Sequence, residues 1–348
     1  MVPQAEALAS YEAASPQSKR SLSIDLNSEE HVLMRRIIGF ILIAVLVGCS
    51  QDARQLPVST ITNSVHIIDG PAIAAQLSTL YGRTYTNCNK SDSQPAFLCS
   101  GVIIRVTVKD SDNKYKVWEP SPTSVKQGMV TFSYLRADSN FIRFAYGYNN
   151  GYVLFPIFET PTDKFDLQIL CSYAYDAWSQ TRGVTPCAAH ASYPAQSQLC
   201  QNAGVTTAEQ WYEVWKLPGG NPNQRQCGFD VRDERNALAG PAFYQSIRAR
   251  GLPNPRNENH NEIQIKTWCD PTSANPATSC KQSFPANKFP IMAFFYLNGS
   301  AGLADAQYNQ RDFYNSTNPK VIVPIIRLTL ASSGTTFTYI QADQAILP

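Results

Sequence analysis

The chain has 348 residues, 43% of them hydrophobic and 16% charged, with a formal net charge of +2. That hydrophobic share is ordinary for a globular protein with a real core. The small, evenly spread charge excludes nucleic-acid binding through a basic face, so no nucleic-acid partner is expected.

The N-terminal region carries an export pattern. Arg35-Arg36 is followed by the apolar run Ile37–Val47, then Gly48-Cys49. The run is about a dozen residues, whereas a spanning helix needs about 20. A positive flank, a short apolar run and a small residue before cysteine read as a lipoprotein signal over 34–48, with Cys49 lipidated. Ser50, rather than Asp, after the cysteine points to an outer-membrane lipid anchor. Residues 1–33 show no apolar period, and Met34-Arg35-Arg36 is an ordinary signal start, so 1–33 reads as an N-terminal extension ahead of the true start. Residues 49–65 read as a tether, and 66–348 as a single domain.

Setting Cys49 aside leaves Cys88, Cys99, Cys171, Cys187, Cys200, Cys227, Cys269 and Cys280. An even number in an oxidising compartment reads as disulfides. Spacing suggests two local loops, Cys88–Cys99 and Cys269–Cys280. The middle four close the stretch 171–227 in sequential or nested order. Zinc is disfavoured because no pair has CxxC spacing, and no metal site is expected.

Asp69-Gly70-Pro71 opens a helix running to about Tyr81, with Gly82 at its end. Strands are expected over 101–109, 129–135, 152–158 and 165–171. A helix follows Thr206-Thr207-Ala208-Glu209, read as a capping box. A second runs from Pro241 to Arg250. Strands then cover 263–268, 291–297 and 321–330, with 337–340 pairing to the last. Without regular βαβ alternation this is an α+β pattern, with a mostly antiparallel or mixed sheet and helices between, stapled by disulfides.

No GxGxxG, Walker loop, HExxH or GxSxG occurs. A Ser-His-Asp arrangement on His190 or His260 is compatible with the composition, but no motif singles out its serine. What stands out is Tyr134-Leu135-Arg136-Ala137-Asp138-Ser139 at a strand end. It is similar to the arginine motif of the cholera-toxin-like A chains, and implies that Arg136 orders an NAD cleft. In such ADP-ribosylating enzymes the catalytic glutamate sits at a strand edge, with Glu or Gln two residues earlier. Glu262 fits the glutamate, but His260 stands in the earlier place. Ser172 is the nearest equivalent of the family's strand-end serine. Tyr134, Asp138 and His260 are the substrate-binding candidates beside Arg136, Ser172 and Glu262.

A wider resemblance runs over most of 65–345. It is carried by Pro95–Ile103, Trp118-Glu119-Pro120-Ser121-Pro122, Phe132–Arg136, Gln226–Asp233, Asn261-Glu262, Ala293–Ser300 and Asp312-Phe313-Tyr314. These segments resemble the halovibrin family of exported bacterial proteins. The resemblance implies an ADP-ribosyltransferase-like fold and cleavage of the nicotinamide–ribose bond of NAD. NAD is then the substrate, no cofactor is permanently bound, and water or a host protein is the acceptor. That reading expects Arg136 and Glu262 to approach within one cleft rather than lie on opposite faces. The alternatives are a non-enzymatic envelope lipoprotein that binds a partner or polymer, and a secreted hydrolase using Asp230, Asp233 or Asp312.

Overall fold

The computed structural model describes residues 58–62, 65–86, 99–107, 116–121, 124, 129–144, 147–154, 169–176, 187, 199–215, 226–231, 240–252, 260–266 and 291–348. All of them fall within one compact unit, Ser50–Pro348. The signal segment, Cys49, Cys88, Cys269, Cys280 and His190 lie outside the described residues, as do both expected local cysteine loops. No helix among the described residues is long and apolar enough to cross a membrane.

In chain order the elements are β1 (Val58–Thr62), β2 (Val65–Ile68), α1 (Gly70–Gly82), β3 (Val102–Thr107), β4 (Met129–Leu135), β5 (Asn150–Leu154) and β6 (Ile169–Tyr173). They continue with α2 (Ala208–Trp215), β7 (Phe229–Asp230), α3 (Gly240–Gly251), β8 (Glu262–Lys266) and β9 (Ile291–Leu297). The last are α4 (Gly302–Ser316), β10 (Lys320–Ile322), β11 (Ile325–Thr329) and β12 (Thr336–Tyr339). A nine-stranded sheet has the order β12-β11-β9-β5-β3-β4-β8-β6-β7, and a small sheet the order β1-β2-β10. Only β11–β9 and β10–β2 pair parallel; the other pairs are antiparallel. The fold is therefore α+β around a large mixed sheet. Strand structure begins at Val58, inside the stretch read as a tether.

The start of α1 follows from its sequence. Asp69 Oδ1 accepts the Ala72 amide at 3.0 Å, and Pro71 occupies the first turn. Ile73, Leu77 and Leu80 form its buried stripe. The end of the helix packs on β12, with Tyr81 edge-on to Phe337 at 6.0 Å.

Sequence periodicity misses α4. Its buried residues are Gly302, Ala306, Asn309, Gln310 and Phe313, so two of the five are amides and the apolar period is broken. Gln310 is buried because it ties the C-terminal segment down. Its Nε2 donates to Val323 O at 2.7 Å, and its Oε1 accepts the amides of Ala345 and Ile346 at 2.8 and 3.0 Å. Phe313 packs against Trp118 and Phe294 at 5.0 and 5.9 Å.

The single strand expected over 321–330 is two. Pro324 interrupts it, since proline has no amide to continue a ladder. The chain runs beside β2 before Pro324 and beside β9 after it. The capping box of α2 is also shifted by one residue. Gln210, rather than Glu209, closes it: Gln210 Oε1 accepts the Thr207 amide at 3.1 Å, and Thr207 Oγ1 accepts the Gln210 amide at 3.2 Å. Glu209 instead pairs with Arg248 of α3 on the surface. Gln210→Ala is therefore expected to lower stability by about 1 kcal/mol. Glu209→Ala should cost less, about 0.5 kcal/mol. Urea midpoints of the two variants check the order.

Two disulfides resolve the middle four cysteines in sequential order. Cys171–Cys187 and Cys200–Cys227 have Cα separations of 5.3 and 4.9 Å. Cys99 is disulfide-bonded as well, so no free thiol remains among the described residues.

Candidate functional site

Strand β8 lies between β4 and β6, antiparallel to both. The C-terminal ends of β4 and β6 thus flank the N-terminal end of β8. Tyr134, Arg136, Asp138, Ser172, His260 and Glu262 all gather at this one end of the sheet. Register then divides them. Phe132 and Ser172 both lie opposite Ile263, so those three share a face. Tyr134 follows Phe132 by two and joins that face. Arg136, still extended at φ −147° and ψ 154°, follows Tyr134. Glu262 and Gln264 lie opposite Tyr173 and Cys171 and project from the other face. Arg136 and Glu262 therefore do not share a cleft, a correction to the arrangement expected above. The reason is parity: the β4–β8 register sets Glu262 across from Ser133, an odd number of residues from Arg136.

Helix α3 covers the first face. Tyr134 packs edge-on to Phe243 at 5.1 Å, and the hydroxyls of Ser172 and Ser246 lie 2.7 Å apart. Ser172 is thus buried and engaged with a helix. Arg136 is fully buried. Its Nε and Nη2 donate to both carboxylate oxygens of Asp138 at 2.6 and 2.7 Å. Its Nη1 donates to Tyr85 O at 2.8 Å and to Ser100 Oγ at 3.2 Å. Burial is the largest effect and works against the charge, but the Asp138 hydrogen bonds together with the Asp138 and Tyr134 electrostatics outweigh it and raise the Arg136 pKa. Tyr134 donates to Ser100 O at 2.6 Å, and burial pushes its pKa up to about 12. Gly101 is required here: its φ is +71°, and a Cβ would collide with the Tyr134 ring. Arg136 and Tyr134 therefore brace Tyr85 and Ser100 against β4, and Asp138 serves as the partner of Arg136.

Asn261 stitches the strand ends together. Its side chain accepts the Tyr134 amide at 2.8 Å and donates to Tyr134 O at 2.7 Å, extending the β4–β8 ladder by one rung. This leaves its neighbours fixed on either side. Glu262 is 2% exposed, and Gln264 Nε2 donates to its Oε1 at 3.3 Å. His260 Nδ1 lies 2.8 Å from both Asn261 O and Ser133 Oγ. Proton donation to the Asn261 carbonyl assigns the Nδ1–H tautomer. The ring sits between Phe141 and Phe144, at 6.1 and 5.5 Å. Asp176 donates its amide to His260 O at 2.7 Å, and its Oδ2 is 3.9 Å from His260 Nε2. That last distance is too long for a hydrogen bond. Sequence reasoning did not pick out Gln264, Asp176 or Arg250, and it named Asn261 only beside Glu262 as part of the resemblance. Gln264 alone carried a signal, since it alternates with Glu262 on a strand.

Burial pushes the His260 pKa down to about 4, against smaller opposing effects of the Asn261 carbonyl and Glu262. Its ordinary value is about 6.5. Between pH 6.5 and 4 the unfolded chain then binds more protons at this position than the folded one, so stability falls as pH falls. Full passage through that window is expected to cost about 3 kcal/mol. Above about pH 7 the contribution is complete. Urea unfolding of the wild type and of His260→Asn at pH 7 and pH 4.5 checks this; the variant should lose less stability on acidification.

Among the described residues no group of three or more His, Cys, Asp or Glu is placed to hold a metal ion. No family model matches the chain, and no curated protein or solved structure is similar to it. Fold and site together define an α+β protein with a buried glutamate–glutamine–histidine cluster at the shared end of three antiparallel strands.

Proposed function

We propose that this chain is an exported enzyme of the halovibrin type that cleaves the nicotinamide–ribose bond of NAD. The observation that carries the reading is the fixed, buried Glu262 carboxylate, held by Gln264 at the end of β8. The C1′–N bond breaks with its electron pair leaving on nicotinamide, which departs neutral and needs no acid. One carboxylate suffices, where most glycosidases use two. Glu262 holds a ribose hydroxyl and stabilises the oxocarbenium-like charge at C1′, a preorganised interaction of the kind that dominates many catalysts. Water adds to C1′ and loses a proton to solvent, giving ADP-ribose and nicotinamide. A host protein side chain in place of water makes the same step an ADP-ribosyl transfer. Arg136 projects from the face opposite Glu262, so the reading rests on Glu262 without the arginine-lined cleft that the resemblance implies, and Arg136 contributes through the architecture of the strand end. The lipid anchor at Cys49 holds the enzyme at the outer membrane.

The test is nicotinamide release from NAD by the purified protein. Release that depends on Glu262 supports the reading. A folded wild-type protein that releases none ends it, and leaves the envelope-binding lipoprotein.

A further inference from the structure

Arg250 is the buried cation whose place the fold does not explain. It lies at the end of α3 and is 7% exposed. Its Nε is buried without a hydrogen-bond partner in the protein, and among the described residues it makes no ion pair. Burial lowers its pKa, so the charge is held at a cost. Favourable interaction with the helix dipole does not require this, since Arg248 one turn-face away meets the same helix end on the surface, paired with Glu209. The Arg250 guanidinium lies over the Tyr175 ring at 4.9 Å. Tyr175 is itself held in place by Gln226, which accepts its amide at 3.1 Å and donates to its carbonyl at 2.8 Å. The next residue, Asp176, is bonded to His260. Arg250 therefore stands beside the His260 and Glu262 strand end on a rigid mount. His260 Nε2 is likewise buried without a hydrogen-bond partner. In the tautomer assigned above it is an acceptor. One buried, unused guanidinium N–H and one buried, unused acceptor at one strand end call for a ligand carrying an anionic oxygen and a hydroxyl.

We infer that Arg250 recognises a phosphate group of a nucleotide, its Nε–H donating to a phosphate oxygen while His260 Nε2 accepts a ribose hydroxyl. The inference deepens the NAD reading and rests on it for the nucleotide, but the anion site stands or falls separately. Arg136 is not available for this contact, since Asp138, Tyr85 and Ser100 occupy its donors, whereas Arg250 Nε is unused.

Isothermal titration of the purified protein with inorganic pyrophosphate, and separately with ADP-ribose, tests it. Wild type should bind both, and Arg250→Gln should bind each at least about tenfold more weakly. Arg250→Lys should fall between them. Arg248→Gln, which removes the surface arginine at the same helix end, should bind pyrophosphate as wild type does. Unchanged affinity in Arg250→Gln, or no pyrophosphate binding by wild type, overturns the site. Should the Arg250 variants fail to fold, hydrogen exchange on the wild type decides: pyrophosphate must slow amides near 249–252 and 174–176, and slowing confined to other segments overturns it. Arg250-dependent pyrophosphate binding in a protein that releases no nicotinamide upholds the site and ends the NAD-cleaving reading. Nicotinamide release with no Arg250-dependent binding does the reverse.

Discussion

Glu262→Gln is expected to lower nicotinamide release from NAD by about 100- to 1,000-fold, with the loss in kcat rather than in KM. The substitution keeps shape and hydrogen-bonding capacity but removes the negative charge that faces C1′ as the ribosyl cation develops. A group that acts on the transition state and not on the bound substrate alters kcat and kcat/KM together. Glu262 is 2% exposed, so a neutral amide here is also easier to bury than a carboxylate. The variant should therefore melt no lower than wild type. That combination separates chemistry from folding: a purely structural Glu262 would leave turnover unchanged in any variant that still folds. Gln264→Leu should show a smaller loss in the same direction, since it removes only the amide that orients Oε1.

The second large effect is on stability. Arg136→Met is expected to destabilise the protein by about 3–5 kcal/mol. The guanidinium satisfies both Asp138 oxygens, the Tyr85 carbonyl and the Ser100 hydroxyl from a fully buried position. Removing it takes away the partner of Asp138 and the shorter of the two hydrogen bonds to Tyr85 O, and loosens Tyr85 and Ser100 from β4. Arg136→Lys should recover little, because an ammonium cannot span the two carboxylate oxygens and reach the carbonyl at once. Urea denaturation of both variants measures this. If Arg136 instead contacted NAD directly, Arg136→Lys would fold at near wild-type stability and fail in substrate binding.

Much of the fold was legible because local chemistry and tertiary role agree. Asp69, Gly70 and Pro71 start α1 as cap and first-turn residues do anywhere. The apolar runs 129–135 and 291–297 are strands with those same bounds. Legibility failed where a polar residue was buried for a distant partner. Gln310 and Asn309 disguise α4, since the C-terminal segment that Gln310 binds is more than thirty residues away. The 321–330 run broke at Pro324 because two different sheets recruit its halves.

The candidate site divides in the same way. Arg136, Ser172, His260 and Glu262 could be named from residue type, motif and strand position. Their common location at one sheet end depends on β8 inserting between β4 and β6, pairings of segments far apart in the chain. The sequence by itself determined residue chemistry, the local starts of helices and strands, and the even set of cysteines that makes disulfides the natural outcome. Only the tertiary structure decided the pairing of Cys171 with Cys187 and of Cys200 with Cys227, and the sheet face each site residue occupies. It also decided that Asp138 engages Arg136 while Arg250 keeps an unused donor. These follow from register and long-range contact, and a one-residue shift in register would have put Glu262 on the other face without altering any local sequence signal.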